Sequence, residues 1–561
     1  MKLPTSCARW GSCKQDIVCK IEGHEVCCLM TFIRFCLLIA LVLTSHEPVY
    51  CGTPPKLIVV VSFDQYRGDY PQMFAGVIGT RGFARIQREG VSYSACSFEH
   101  ANNITGPGHA ALLTGNYPYR SGIVGNNFCD VRTNACTYCA SDSIGTLDAS
   151  QLESPTLGDV LRARDRKSKV VAVSLKDRAG ILMAGKQATA CVWFNAATKK
   201  WETSSSYRIP TWLKNMNVKV SANVYAGKTW KAQIPASSSP ALDDVMAEGL
   251  YPGGNNTFPH VVLKKSDPKF MMSVLLSPFS MDMVFDAAAF ALREEKLGKD
   301  NAPDVLCIGV STTDYVGHNF GPNSLEVQEL YRLADLRIAQ LIDDLDTRVG
   351  RNNYVLVVTS DHGVAPIPEV IRNLPQQQGE HIDAGRIRDR ELVELVDSAL
   401  TKTFGVPSTR SYVRKIYEPS IYLNDTAIAN RDRSEVLRVA VEALRKHHGL
   451  MIVATKDTLA LGDCPNGADE AMCRYVRNSF HAARTGDIVI YPRRYWIIGA
   501  NVATHGTPHD YDRSVVLMML GSGIKPQTSS ATVSPVDIAP TLAKLLGLTM
   551  GVVDGKELPL K

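Results

Sequence analysis

The sequence predicts an α/β fold: a mostly parallel central sheet, helices on both faces, and insertions above one edge of the sheet. Three observations carry that expectation. Unbroken apolar runs bounded by turns recur at Leu57–Ser62, Val170–Ser174, Val305–Val310, Tyr354–Thr359 and Val515–Leu520. Continuous rather than alternating runs suit strands buried on both faces, as in a parallel sheet. Helical spacing fills the intervals, and strands alternating with helices argue for a sheet covered on both sides. Short polar motifs follow directly after several runs, at the carboxyl ends where open α/β sheets bind ligands.

In chain order, residues 1–50 read as a targeting segment. Arg34 precedes the apolar run Phe35–Leu43, followed by the polar TSHEP. That run is too short to span a bilayer and suits a signal peptide starting near Met30. Export to the periplasm or the medium is expected, with no stable membrane insertion after cleavage. Residues 51–561 then read as one domain carrying two insertions. Its clearest helix is SLEVQELYRLADLRIAQLIDDLDTR, where Leu330, Leu333, Ile338, Leu341, Ile342 and Leu345 repeat at helical spacing. A closing helix is expected in SPVDIAPTLAKLLGL, with Ile538, Leu542, Leu545 and Leu546 on one face. Two stretches, about 190–290 and 366–500, break the rhythm and read as insertions above the strand ends.

Composition narrows the function classes. Hydrophobic residues make up 45% of the 561 and charged residues 21%, enough for a large packed core. The net charge of +5 is small and scattered, which gives no case for nucleic-acid binding. Nine cysteines lie from Cys51 onward, and export favours pairing among them. Cys464 and Cys473 bracket a polar loop and are expected to pair. One further bond is expected among Cys129, Cys136 and Cys139, whereas Cys307 in an apolar strand reads as a buried free thiol.

The polar motifs carry the chemistry. They are Asp64 in SFDQYRGD, Thr105 in NNITGPGHAALLTG, Asp314 and His318 in TTDYVGHNFGP, Asp361 and His362 in SDHG, and His505 in THGTPHDYD. Three carboxylates, three imidazoles and one hydroxyl would fill two adjacent zinc sites; oxygen and imidazole donors without thiolate suit a catalytic pair with open positions. Taken singly, each motif has a plainer reading. Asp64 or Thr105 could cap a helix, and His505 competes with His509. For Asp314 and His318, the Gly-Pro that follows argues for a loop rather than a helix. Asn103-Ile104-Thr105 also matches a glycosylation acceptor. Thr105 is the candidate nucleophile: it precedes a helix whose amino end favours anions, and a metal ion would activate its hydroxyl.

The ordered set, with SLKDRAG and YRSGIVGN included, resembles the alkaline phosphatase superfamily from about Pro55 onward. It is most similar to the PafA-like threonine-nucleophile alkaline phosphatases. The resemblance implies two zinc ions, one held by Asp64, Thr105, Asp361 and His362, the other by Asp314, His318 and His505. It also implies that Asn126, Lys176 and Arg178 bind the phosphoryl oxygens of phosphate monoesters, with Asn127 leaving a one-residue ambiguity. Two cations favour a monoester dianion over a diester monoanion. The implied reaction is a double displacement through a phosphothreonine. The nearest rival is a nucleotide pyrophosphatase or phosphodiesterase, which would lack the paired cations. A sulfatase lacks support because TGPGH offers no Cys or Ser nucleophile, a metal-dependent mutase would not carry a signal peptide, and a secreted binding protein would not keep every ligand type.

Overall fold

The computed structural model describes residues 53–560, apart from 236–238, 240, 242, 246 and 375–380. The expected signal peptide and its start near Met30 lie outside the described residues. A nine-stranded sheet organises the chain. Its strands, in chain order, are β1 (Leu57–Phe63), β2 (Val91–Cys96), β3 (Val170–Ser174), β4 (Ala190–Asn195), β5 (Lys200–Glu202), β6 (Asp304–Val310), β7 (Tyr354–Thr359), β8 (Leu517–Gly521) and β9 (Gln527–Val533). They lie in the order β9-β2-β8-β7-β1-β6-β3-β4-β5.

β1 shows why the centre is parallel. All seven residues of LIVVVSF are buried, so neither face of the strand can meet water. It pairs in parallel with β6 and with β7. β3 continues the parallel run on the far side of β6, and β4 follows it. One departure from the expected pattern is β8, which runs antiparallel to both β7 and β2. Its apolar run records burial on both faces, and burial does not encode direction.

On one face, Leu57, Val59, Val61 and Phe63 pack into a cluster with Met281, Val284 and Ala288 and with Leu330, Ile338 and Ile342. On the other face a close-fitting helix, Asp177–Ala184, crosses the sheet: a Cβ on its Gly180 would lie 3.5 Å from that of Ala172. Residues 190–202 supply β4 and β5 to the central sheet, so any insertion there starts beyond Glu202. Within 366–500 a separate four-stranded sheet forms from Val413–Tyr417, Ser420–Leu423, Leu450–Thr455 and Ile488–Pro492. It has its own core, including Leu392, Val396, Val436 and Leu444.

Disulfides join Cys129 to Cys136 and Cys464 to Cys473. Cys307 and Cys139 are free and buried. Among the described residues, no helix is long and apolar enough to cross a membrane.

The parallel run β7-β1-β6-β3 has one functional consequence. All four strands end at the same sheet edge, so the residues just beyond them become lateral neighbours about 5 Å apart. A further helix, α1 (Thr105–Thr114), is pressed against that edge. A Cβ on Gly108 would overlap the backbone carbonyl of Asp361, so only glycine allows α1 so near. Gly108→Ala is therefore expected to lower the unfolding free energy by about 1–3 kcal/mol, the usual cost of overpacking, measured by urea denaturation.

Candidate active site

Asp64 follows β1, Asp314 follows β6, Asp361 follows β7, and Lys176 with Arg178 follows β3. The sheet order thus sets three carboxylates and two cations along one edge. The carboxylates are buried, at 0%, 3% and 0% exposure for Asp64, Asp314 and Asp361. Two ligand groups emerge, Asp64 with His109 and Asp361, and Asp314 with His362 and His505.

The imidazoles are oriented by their far nitrogens. Nδ1 of His318 lies 2.7 Å from the Ala503 carbonyl, that of His505 2.9 Å from Asn103 O, and that of His362 2.9 Å from Gly363 O. Each Nδ1–H donates to a carbonyl, which fixes the tautomer and leaves an Nε2 lone pair for a metal. Nε2 of His318 and His505 lie 3.2 and 3.4 Å from Asp314 Oδ1. His362 sits between the groups. Its Nε2 is 3.1 Å from Asp361 Oδ2, while its ring stacks on His505 with centroids 3.6 Å apart.

Asp314 and His318 sit on a helix, α2 (Thr312–Phe320), contrary to the expected loop. Four-residue spacing places both on one face of it. Gly317, between the two, keeps room on that face: a Cβ there would overlap Gln65 Oε1. Gly321, at φ +83°, then ends the helix before Pro322.

Two residues in the pocket escaped sequence reasoning. Gln65 adopts φ +67°, a conformation uncommon outside glycine. There its backbone N–H donates to Asp361 Oδ1 at 3.2 Å and its Nε2 to Asp314 Oδ1 at 3.0 Å. His109 lies one helical turn after Thr105, with Nδ1 3.1 Å from Asp361 Oδ2 and Nε2 3.4 Å from Asp64 Oδ1. Spacing from Thr105 was the available signal for His109; Gln65 had none beyond its place after Asp64.

Lys176 is buried, its Nζ 3.0 Å from Asp64 Oδ2 and 2.5 Å from Asp314 Oδ2. Burial opposes its charge, yet Asp314 and Asp64 hold its pKa above the ordinary lysine value. Asp314 stays well below the usual carboxylate range despite burial, because His318 and Lys176 favour its charge. Burial and the adjacent Asp361 push Asp64 upward. Burial works against a charge on His362, but Asp361 lifts it to about 8. His505 falls to about 3 through burial and the nearby His362.

Thr105 is the first residue of α1 and is buried at its amino end. Arg178 Nη2 lies 3.3 Å from its Oγ1. The Asn126 side chain accepts the Gly106 N–H at 2.8 Å through Oδ1, which turns its amide NH2 toward the cavity. Asn127 is exposed and begins the disulfide-bridged hairpin Asn127–Cys129/Cys136–Tyr138. The Tyr138 hydroxyl donates to Asp177 at 2.5 Å and accepts from Arg178 Nη1 at 3.4 Å, so the hairpin also steadies Arg178. Asn103 is fully buried, with its amide donating to Thr507 O at 2.9 Å, and is no glycosylation site. His509 points away, to the Pro492 carbonyl.

The donor set fits metal ions. Asp64 Oδ1, Asp361 Oδ2, His109 Nε2 and His362 Nε2 are all buried without a hydrogen-bond partner. Such atoms cost stability unless something pairs with them. Above them opens a cavity of about 290 Å³, lined by Thr105, Asn126, Arg178, Asp314, His318 and His505, among others.

Residues 58–512 match the family described as type I phosphodiesterase / nucleotide pyrophosphatase. The chain belongs to this family. It is 30% identical to a Myroides odoratus protein named calcium-transporting ATPase, over 88% of this chain and 92% of that protein. It is 29% identical to alkaline phosphatase PafA of Elizabethkingia meningoseptica, over 88% of this chain and 91% of that one. The crystal structure of wild-type alkaline phosphatase PafA matches with a TM-score of 0.83 at 29% identity, covering 91% of this chain and 99% of that chain. Within the phosphodiesterase family, the chain thus shares its whole architecture with a phosphatase.

Because orphaned carboxylate and imidazole atoms face one another, metal ions should stabilise the fold by mass action. Titrating zinc into chelator-treated protein is expected to raise Tm progressively. In Asp361→Asn the rise should shrink to less than half, as read by calorimetry.

Proposed function

We propose that this protein is an exported, zinc-dependent phosphomonoesterase that hydrolyses phosphate monoesters through a phosphothreonine intermediate. The observation that carries the reading is the position of the Thr105 hydroxyl. It sits at a helix amino end, 3.3 Å from Arg178 Nη2, beside a buried cluster of carboxylates and imidazoles. The likeness to alkaline phosphatase PafA over nearly the full chain supports it, and the two disulfides support export.

Asp64, Asp361 and His362 with Thr105 would hold one zinc ion, and Asp314, His318 and His505 the other. When bound, the ions lower the pKa of the threonine hydroxyl and neutralise charge on the departing oxygen. The chain's own residues do the remaining work. Arg178 and the Asn126 amide hold the phosphoryl oxygens, and the positive end of the α1 dipole lies at the same place. Thr105 Oγ bonds to phosphorus as the bond to the alcohol oxygen breaks. Water then displaces the threonine oxygen and releases phosphate. The transition state is loose, so positioning and charge stabilisation supply most of the acceleration. Lys176 acts from below the cavity, through Asp64 and Asp314. Its charge adds to that of Arg178 in favouring a dianion.

The family name leaves a phosphodiesterase as the competing reading. Hydrolysis of p-nitrophenyl phosphate and bis-p-nitrophenyl phosphate by zinc-loaded protein separates the two. The monoester is expected to be the better substrate. Thr105→Ala should remove turnover of both esters. Lys176→Ala/Arg178→Ala should cut monoester kcat/KM by at least about 10²-fold, the scale of losing charge stabilisation in a transition state, with a smaller loss for the diester. A faster diester reaction, indifferent to the double substitution, would assign the chain to the phosphodiesterases.

A further inference from the structure

Part of the lining of the cavity comes from the separate four-stranded sheet. Its strands Val413–Tyr417 and Ser420–Leu423 pair with Tyr417 opposite Ser420, so Glu418 and Pro419 form a two-residue hairpin tip. Ile416, Tyr417 and Glu418 of that hairpin line the same cavity as Thr105 and Arg178. The lining carries Arg178 together with two carboxylates, Asp314 and Glu418. Arg178 stands at the Thr105 end. Asp314, also in the lining, is already engaged by Lys176 and His318. Glu418 is different: among the described residues, no cation lies within ion-pair distance of its carboxylate. Asp389 is the charged neighbour that acts on it, and it adds to the negative potential.

We infer that Glu418 is a specificity-determining residue that reads the charge of the alcohol leaving group. It favours phosphate monoesters of neutral or cationic alcohols and disfavours alcohols bearing a further carboxylate or phosphate. The inference rests on the phosphomonoesterase reading and adds a substrate class to it. The physical basis is simple. Phosphate-binding groups attract any monoester dianion, so they cannot distinguish one alcohol from another. A carboxylate in the lining, contributed by a different sheet from the phosphate-binding groups, repels a second anionic group and attracts an ammonium. Burial and Asp389 push the Glu418 carboxyl up to about 7, so it is ionised at alkaline pH.

The test compares kcat/KM at pH 9 for three esters of similar size: phosphocholine, glycerol 1-phosphate and 3-phosphoglycerate. Wild-type zinc-loaded protein is expected to rank them in that order. Glu418→Gln should raise the 3-phosphoglycerate value about fivefold to tenfold and lower that of phosphocholine similarly, the size of one unit charge acting across a wet cleft. Glycerol 1-phosphate should stay within about twofold, which reports that the variant is folded and competent. Glu418→Lys should reverse the ranking. Independently of any variant, the wild-type ratio of phosphocholine to 3-phosphoglycerate should shrink in high salt, because screening weakens interactions across open water. Equal changes for all three esters, or a ratio unmoved by both substitutions and by salt, would overturn the assignment of Glu418. Failure of the wild type to hydrolyse glycerol 1-phosphate would strike the monoesterase reading, and this inference with it.

Discussion

Three carboxylates buried within one pocket set the terms for everything around them. Asp64, Asp314 and Asp361 have almost no access to water, and like charges this close in a low-dielectric setting cannot all persist without compensation. The chain supplies part of it. Lys176 bridges Asp64 and Asp314, His109 bridges Asp64 and Asp361, and Gln65 ties Asp361 to Asp314. What remains is a set of buried atoms without partners, the signature of a place built for cations that the polypeptide does not itself provide.

That demand accounts for the architecture above and below. Only adjacent parallel strands bring several carboxyl ends to one edge, and the centre of the sheet is parallel, with β8 and β5 the two reversed strands outside it. Helix α1 must come close enough to place Thr105 over the metals' ligands, and Gly108 permits the approach. Helix α2 must turn both Asp314 and His318 inward while leaving room for Gln65, and Gly317 permits that. The glycines at this edge answer to neighbouring atoms rather than to turns.

This explains what the sequence made legible and what it hid. Buried strands announce themselves by unbroken apolar runs, so β1, β3, β6 and β7 could be placed, and with them the polar residues at their ends. β8 looked the same but runs the other way, since direction follows from the connections and not from the run itself. The Gly-Pro after His318 resembled a loop because glycine is read as a breaker, yet it only ends the helix that carries both ligands; the packing reason for Gly317 within that helix sits far off in the chain at Gln65. His109 and Gln65 were hidden for the same reason, each being an ordinary residue until folding sets it against a carboxylate. The hairpin tip at Glu418 belongs to a stretch whose composition gave only an insertion. Ligands for the core chemistry follow strands, whereas the wall that meets the rest of the substrate follows from how a separate small sheet docks.

The order of the ligands along the chain has a temporal meaning as well. The pocket opens with Asp64 near the start of the described residues and closes with His505, whose imidazole is supplied by one of the final segments. A polypeptide still being synthesised holds the acidic portion of the pocket without that last nitrogen donor. The assembly of the centre is thereby deferred until nearly the whole chain has arrived in one place. For a hydrolase acting on phosphate esters, connectivity thus sets an order in time: the acidic part of the pocket exists in the chain before the donor that completes it.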